Sequence, residues 1–247
     1  MRIYRLQIRI IQLAVLLSLM VLIFGVVNVW QGSTGGQPVG GDNTVQNGGG
    51  SNSGKSGTDT GDAGAEGDDK LLNSKIVCLG DSYTYGYPGE PKDSWTVRVA
   101  ETLKIEVVNA GKTFQNAEDL LARFDQDVLA KEPGRVVIFA GVGDAIREKP
   151  FEEYQSNIIA LVEKAQSNHI KPILALPIPF PGTDKLHKEY RDWEITFAQE
   201  KKITVLDFKE VLFDSESKIL KKYSDDGKYP NKDGYAAMGD YAARVLQ

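Results

Sequence analysis

The chain has 247 residues, with 29 basic and 34 acidic side chains, a formal net charge of −5, two histidines and one cysteine. No basic stripe of the kind that binds nucleic acid is present, and a single cysteine excludes an internal disulfide. With only two histidines and Cys78 as typical ligands, no structural zinc and no other metal or cofactor is expected.

The first 30 residues predict a membrane anchor. Three arginines and no acidic residue accompany a run of 21 mostly apolar residues at 10–30. A helix needs about 20 apolar residues to cross the hydrocarbon core, and arginines on its N-terminal side favour a cytoplasmic N-terminus. A signal peptide cleaved within 31–36 is the alternative, although its apolar region usually has about 7–15 residues. We therefore expect a single-pass protein of the cell membrane, with everything after residue 30 extracytoplasmic.

Residues 31–70 predict a disordered linker. They hold 13 of the 25 glycines, together with two lysines and six acidic residues. Such a segment cannot bury enough apolar surface to offset the entropy lost on ordering. A glycine-rich coil of this length spans roughly 35 Å, which would let a domain work near a membrane surface.

Residues 71–247 predict one α/β domain. Short apolar runs rich in Val, Ile and Leu alternate with amphipathic segments, as expected for a parallel sheet with helices on both faces. We therefore predict a three-layer, flavodoxin-like sandwich with a five-stranded parallel sheet. The predicted strands are Lys75–Leu79, Ile105–Asn109, Arg135–Ala140, Lys171–Pro177 and Ile203–Phe208. The predicted helices are Ser94–Leu103, Asn116–Ala130, Phe151–Ser167, Lys185–Lys201 and Lys232–Leu246.

Four polar motifs follow the predicted strands or precede the last helix. They are Gly-Asp-Ser-Tyr-Thr-Tyr-Gly at 80–86, Asn-Ala-Gly at 109–111, Gly-Val-Gly-Asp at 141–144, and Asp-Gly-Lys-Tyr-Pro-Asn-Lys-Asp-Gly-Tyr at 226–235. Each alone is ordinary turn chemistry. Together, in this order, they resemble the blocks of the SGNH (GDSL-type) hydrolase family over essentially all of 74–247.

This resemblance implies acyl transfer from an ester and assigns roles to individual residues. Ser82 matches the nucleophile, and the backbone N–H groups of Ser82 and Gly111 match two oxyanion donors. Asp226 matches the acid that orients a histidine three residues later. In such chemistry the serine attacks the ester carbonyl, the donors hold the oxyanion, and water releases the acyl group.

Two positions depart from the family pattern. Gly143 stands where the family has the asparagine that is the third oxyanion donor, and Tyr229 stands where it has the histidine base. Removing one oxyanion donor costs about 10²–10³ in rate, and removing the histidine of a serine protease triad costs on the order of 10⁶. His187, in the loop or helix start after the fourth strand, is the candidate replacement base. Its alternative role is that of a solvated residue in a charged loop.

Three interpretations remain open at this point. The domain is an ester-directed hydrolase with a replacement base, a pseudoenzyme that binds a glycan or another acylated polymer without turnover, or a scaffold for interactions. The expected partners are the membrane, through residues 10–30, and a small-molecule or polymer ester or glycan. If the site is a decayed hydrolase, combining Tyr229→His with Gly143→Asn should raise esterase activity.

Overall fold

The computed structural model describes residues 73–247. The predicted anchor at 1–30 and the predicted linker at 31–70 lie outside the described residues. Within 73–247, no helix combines the length and the apolar character that crossing a membrane requires.

The centre of the described domain is a five-stranded, fully parallel sheet, as predicted. Its strand order is β2-β1-β3-β4-β5, and β1 and β3 are almost completely buried because helices cover both faces. Val, Ile and Leu dominate these runs because their side chains pack well on a pleated surface. The strands are β1 Ile76–Gly80, β2 Val107–Gly111, β3 Arg135–Phe139, β4 Lys171–Ala175 and β5 Thr204–Leu206.

Nine α-helical segments surround this sheet in the described part of the chain. The longest three agree closely with the predicted amphipathic segments. The helices are α1 Ser82–Tyr85, α2 Trp95–Leu103, α3 Ala117–Ala122, α4 Phe124–Asp127, α5 Val142–Ile146, α6 Phe151–Ser167, α7 Asp184–Lys201, α8 Lys209–Leu212 and α9 Lys232–Leu246. Three 3₁₀ turns lie at Pro91–Asp93, Leu129–Lys131 and Lys221–Tyr223.

The predicted single helix Asn116–Ala130 is wrong in one respect, because it is broken at Arg123. This residue separates α3 from α4 and has a non-helical ψ of 6°. Its side chain turns inward and donates to the carbonyl oxygens of Gly80 and Ala110, at the ends of β1 and β2. A tertiary contact has therefore overridden a continuous helical pattern in the sequence.

Two apolar clusters pack against the sheet, one on each face. Successive side chains of a strand point to opposite faces, so Val77 and Leu79 join the cluster beneath α3, α4, α6 and α7. Ile76 and Cys78 join the cluster beneath α2, α8 and α9. Full burial of each large apolar side chain contributes roughly 1.5–3 kcal/mol. Together the two clusters hold the strand ends in fixed positions.

Candidate active site

Ser82 lies in a small cleft at the carboxyl edge of the sheet. Gly80 at the end of β1 pairs with Gly111 of β2 and Phe139 of β3, so the segments after these three strands begin at one level. The cleft has a volume of about 20 Å³, which is roughly the space of one water molecule. It is lined by Asp81, Ser82, Tyr83, Phe114, Gln115, Val142, Gly143, Ile146 and Tyr229.

The turn after β1 fixes the position of Ser82. Asp81 caps α1 by accepting a 2.9 Å hydrogen bond from the N–H of Tyr83, which places Ser82 first in the helix. Gly80 allows this turn, since an added Cβ would lie 2.0 Å from Oγ1 of Thr84. The side chain of Asp81 takes up the N–H of Tyr83. The N–H of Ser82, at the start of the helix, has no partner within the helix and lies beside the serine's own hydroxyl.

The second backbone donor at the serine comes from Phe114. Its N–H donates a 2.9 Å hydrogen bond to Oγ of Ser82. Phe114 has a φ of +60°, in the left-handed region that a phenylalanine rarely adopts. Arg147 contributes to holding this backbone by donating to the Phe114 carbonyl oxygen at 2.6 Å. The loop after β2 therefore presents a backbone amide to the Ser82 hydroxyl.

Gly111, which we had expected to be this donor, has another role. Its N–H donates to Oδ1 of Asn109 at 2.9 Å. An added Cβ at Gly111 would lie 2.1 Å from the backbone N of Tyr85. Gly111 thus allows the end of β2 to pack directly against α1, and the backbone amide of this loop that bonds to Ser82 is that of Phe114, three residues later.

Gly143 does line the cleft, as the family pattern implies, but an asparagine side chain does not fit there. An added Cβ would lie 2.1 Å from the carbonyl oxygen of Gln115. Asp144, the next residue, accepts hydrogen bonds from the N–H groups of Gly141 and Ala117. The loops after β2 and β3 are therefore joined at Asp144 and are in backbone contact at Gly143.

Tyr229 also lines the cleft, within an aromatic cluster. Its ring centroid lies 5.3 Å from that of Tyr83, 4.7 Å from that of Tyr87 and 5.7 Å from that of Phe180. Burial, together with the negative charge of Asp81, raises the pKa of the Tyr229 phenol. A neutral phenol in this position can donate a hydrogen bond but does not replace the imidazole base.

Asp226 shapes the turn before α9. Its Oδ1 accepts hydrogen bonds from the N–H groups of Lys228 and Tyr229, at 2.8 and 2.9 Å, and from the Ser224 hydroxyl at 3.1 Å. Burial acts to raise the pKa of Asp226, but these hydrogen bonds outweigh it and hold the pKa below its usual range. Its carboxylate is therefore engaged with the backbone of the turn before α9.

The structure does not support His187 as a replacement base. Its Nε2 lies 3.0 Å from the carbonyl oxygen of Pro177, and the residue lines a separate cavity of about 480 Å³ that shares no residue with the cleft at Ser82. Burial lowers the pKa of the imidazole. His169, the other histidine, directly precedes Ile170 and β4, at the opposite edge of the sheet.

Asp81 is a cleft residue that the sequence analysis did not single out. It is 3% exposed, and burial raises its pKa to about 7, although the N–H of Tyr83 acts in the other direction. In the sequence, only its place in the Gly-Asp-Ser motif pointed to Asp81. An aspartate that merely caps a helix would occupy the same place, so the motif did not identify it as a cleft residue. Among residues 73–247, no three His, Cys, Asp or Glu side chains are grouped closely enough to hold a metal ion.

Known proteins resemble this chain in both sequence and fold. The lipoprotein YqeF of Bacillus subtilis is 33% identical over 129 residues, which is 47% of this chain and 53% of that protein, so the match spans about half of the relative's length. The thioesterase 1/protease 1/lysophospholipase L1 of Escherichia coli is 22% identical over 176 residues, covering 70% of this chain and 83% of that protein.

A solved structure and a family model agree with this geometry. The structure of a protein from Desulfitobacterium hafniense, described as lipolytic and of the G-D-S-L family, superposes with a TM-score of 0.69 and 53% identity. It covers 70% of this chain and 99% of that one. The family model matches residues 78–237, from the middle of β1 to within α9. With the serine at the end of β1 and the cleft at the carboxyl edge of the sheet, this chain is a member of the GDSL-like lipase/acylhydrolase family.

Proposed function

We propose that this protein is a membrane-tethered, extracytoplasmic GDSL-type hydrolase domain that acts on acyl esters of a surface polymer or lipid, with slow turnover. The observation that carries the proposal is the hydrogen bond from the Phe114 N–H to Oγ of Ser82. A backbone donor directed at the nucleophile position is also placed to receive the oxyanion of a tetrahedral intermediate.

The reaction follows from these groups. Oγ of Ser82 bonds to the ester carbonyl carbon, while the carbonyl π electrons move onto oxygen and accept hydrogen bonds from the N–H groups of Ser82 and Phe114. Collapse of the intermediate expels the alcohol oxygen, which takes up the serine proton through solvent. Water then attacks the acyl-serine, releasing the carboxylic acid and restoring the hydroxyl.

Slow turnover follows from the side chains around the serine. Neither histidine of the chain lines the cleft. In a serine protease, removing triad members leaves about 10³–10⁴-fold catalysis over water, which comes from the oxyanion hole and substrate binding alone. We expect acceleration of this order, with formation of the acyl-serine as the slow step.

The tether and the location rest on sequence. The arginines and the apolar run at 2–30 and the glycine-rich segment at 31–70 have the composition of an anchor and a stalk. The similarity to a lipoprotein supports attachment to a membrane. Fusion of alkaline phosphatase after residue 247 tests the orientation, since the fusion is active only outside the cytoplasm. An inactive but intact fusion would contradict the proposed location.

Ligand binding without turnover is the second candidate function. It is favoured by Tyr229, whose packing on Tyr83, Tyr87 and Phe180 fills the place of the missing base. In this case the cleft would recognise a glycan or an acylated group through hydrogen bonds and aromatic contacts, and Ser82 would remain unmodified.

A fluorophosphonate separates the two candidates. In the reaction Oγ of Ser82 displaces fluoride from phosphorus and the hydroxyl proton leaves with it as HF, so one phosphonyl mass is added. We expect the full-length protein in detergent to be labelled and Ser82→Ala to remain unlabelled. Ser156→Ala, at an exposed position of α6, is the matched control and should label like the wild type. The wild type and Ser156→Ala should also hydrolyse p-nitrophenyl acetate, and Ser82→Ala should not.

A folded wild type that gains no label and hydrolyses no more ester than Ser82→Ala would contradict the proposed hydrolase. Binding of an acetylated glycan by such a protein, measured by calorimetry, would then establish the second candidate.

A further inference from the structure

One buried guanidinium contacts both sides of the hydrogen bond between Phe114 and Ser82. Arg123 is 8% exposed. Its Nη2 donates to the carbonyl oxygen of Gly80 at 2.9 Å, two residues before Ser82. Its Nε donates to Oε1 of Gln115 at 2.5 Å, one residue after Phe114.

Two further contacts fix the same side chain. Nη1 of Arg123 donates to the carbonyl oxygen of Ala110 at 2.8 Å, near the end of β2, and to Oδ2 of Asp127 at 2.6 Å. Asp127 balances the buried positive charge, and its own side chain is only 17% exposed. The guanidinium therefore bonds to β1, to β2, to the loop after β2 and to α4. Three of these partners are neutral oxygens, and the fourth is the carboxylate of Asp127.

From these contacts we propose that Arg123 is a positioning residue, which holds the loop after β2 so that the Phe114 N–H meets Oγ of Ser82. This inference rests on the proposed function for its effect on chemistry. Phe114 has a left-handed φ, a strained backbone conformation that persists only when its surroundings enforce it. Arg123, through Gln115, supplies part of that enforcement from the buried side.

The chemistry requires arginine at this position. A guanidinium carries five donors in a planar fork, whereas an ammonium is a compact charge with three donors. A lysine at 123 would reach Asp127 or one carbonyl oxygen, but not Gly80, Ala110 and Gln115 at once. A lysine would keep the positive charge but lose the simultaneous hydrogen bonds. Arg123→Lys therefore tests the effect of these hydrogen bonds separately from the effect of the charge.

The matched control is Arg135→Lys. Arg135 also donates to backbone carbonyl oxygens, those of Leu246 and Ser74, but it begins β3 at the opposite edge of the sheet. Both changes remove an arginine that is bonded to the backbone. Only the change at Arg123 disturbs the loop that carries Phe114.

The first measurement is the rate of fluorophosphonate labelling at Ser82 in the full-length protein. We expect Arg123→Lys to slow labelling by about 10–100-fold, because small misplacements of a reacting group cost about that much. Arg135→Lys should stay within about twofold of the wild type. Gln115→Ala removes one contact and leaves the guanidinium on both carbonyls, so it should slow labelling less. It also serves as the test if Arg123→Lys does not fold.

The second measurement does not depend on reactivity. With [¹⁵N]phenylalanine labelling, the amide signal of Phe114 should shift when Ser82 is changed to alanine, because its acceptor is lost. In the Arg123→Lys background, or with Gln115→Ala, that shift should shrink. Equal labelling rates, or an undiminished shift, would overturn the role of Arg123. A wild type that never labels would instead count against the hydrolase, while the amide shift would still decide the positioning role.

Discussion

The N–H of Phe114 and Oγ of Ser82 form a 2.9 Å hydrogen bond between residues 32 positions apart in the chain. In the proposed reaction, a substrate carbonyl oxygen that binds at this amide takes the place of the serine oxygen as its acceptor. The hydroxyl is then released from this bond while the ester is held beside it. The proposed function therefore couples ester binding to release of the serine hydroxyl through a single backbone amide.

The sequence alone predicts that Tyr229→His and Gly143→Asn together raise activity. From the structure we expect the gain to come from Tyr229→His only. Tyr229→His places an imidazole at the cleft and should increase fluorophosphonate labelling by about 10²-fold, the lower end of the range that general base catalysis provides. Adding Gly143→Asn should lower folding stability and remove part of this gain, because its Cβ would meet the Gln115 carbonyl at 2.1 Å. Labelling rates and thermal unfolding of the single and double variants test both statements.

Gly143→Ala serves as the control for steric conflict, since it adds the same Cβ without an amide. We expect it to cost about 1–3 kcal/mol, as overpacking does. A double variant that is more active than Tyr229→His and equally stable would contradict this expectation. It would show that the loop after β2 moves to accommodate the asparagine side chain without loss of stability.

His187→Gln should leave the chemistry at Ser82 unchanged. The imidazole bonds to the Pro177 carbonyl oxygen, and a glutamine amide can donate there in its place. We expect labelling and ester hydrolysis within about twofold of the wild type, since its cavity and the serine cleft share no residue. A loss on the scale of a missing general base, about 10²–10⁴-fold, would make His187 the proton acceptor after all.

Asp226→Asn separates a turn-forming residue from a triad acid. The asparagine keeps an oxygen that accepts from the N–H groups of Lys228 and Tyr229. The same change in a serine protease triad reduces kcat by about 10⁴-fold, but here we expect labelling within about twofold of the wild type. Asp226→Ala removes the acceptor and should lower the melting temperature. A large rate loss in Asp226→Asn alone would restore its assignment to a triad.

Glu194 should make the stability of the domain depend on pH. It is 1% exposed and accepts a hydrogen bond from the Tyr154 hydroxyl. Burial raises its pKa from 4.5 to about 8, although the Tyr154 hydroxyl and Arg191 act against this. Between these two values the unfolded state has lost a proton that the folded state keeps. The free energy of unfolding should therefore fall as pH rises from about 4.5 to 8, by an amount on the order of a few kcal/mol.

Glu194→Gln should reduce this slope and raise stability at pH 8, while the raised pKa values of Asp81 and Asp144 leave a smaller slope of the same sign. Glu200→Gln, at an exposed position of the same helix, is the matched control and should keep the slope of the wild type. Urea unfolding at several pH values measures both. A wild type and a Glu194→Gln variant with parallel pH profiles would contradict the assignment.

The sheet was predictable from sequence because its signals are local. Runs such as Val136–Phe139 within β3 are apolar throughout, which is typical of strands covered on both faces. Ser82 and Gly143 stand in motifs directly after such strands, so their arrival at one edge follows from parallel pairing. Asp226 and Tyr229, before α9, were singled out only by the resemblance to the last motif of the family.

The remaining features depend on contacts between distant segments. A phenylalanine with positive φ leaves no pattern in a sequence, so the amide at 114 was missed, and the resemblance to the family pointed to Gly111, where glycine allows close backbone approach. The break at Arg123 was missed because arginine is a good helix former, and only the carbonyl oxygens of Gly80 and Ala110 explain it.

Cys78 gives the domain a built-in probe of how rigidly it holds its serine. It is the only cysteine of the chain, it is 1% exposed, and it lies on β1 four residues before Ser82. A thiol reagent can reach it only when the central strand becomes accessible to solvent. Its rate of modification under native conditions would therefore report how often the support of the nucleophile opens, without any engineered label.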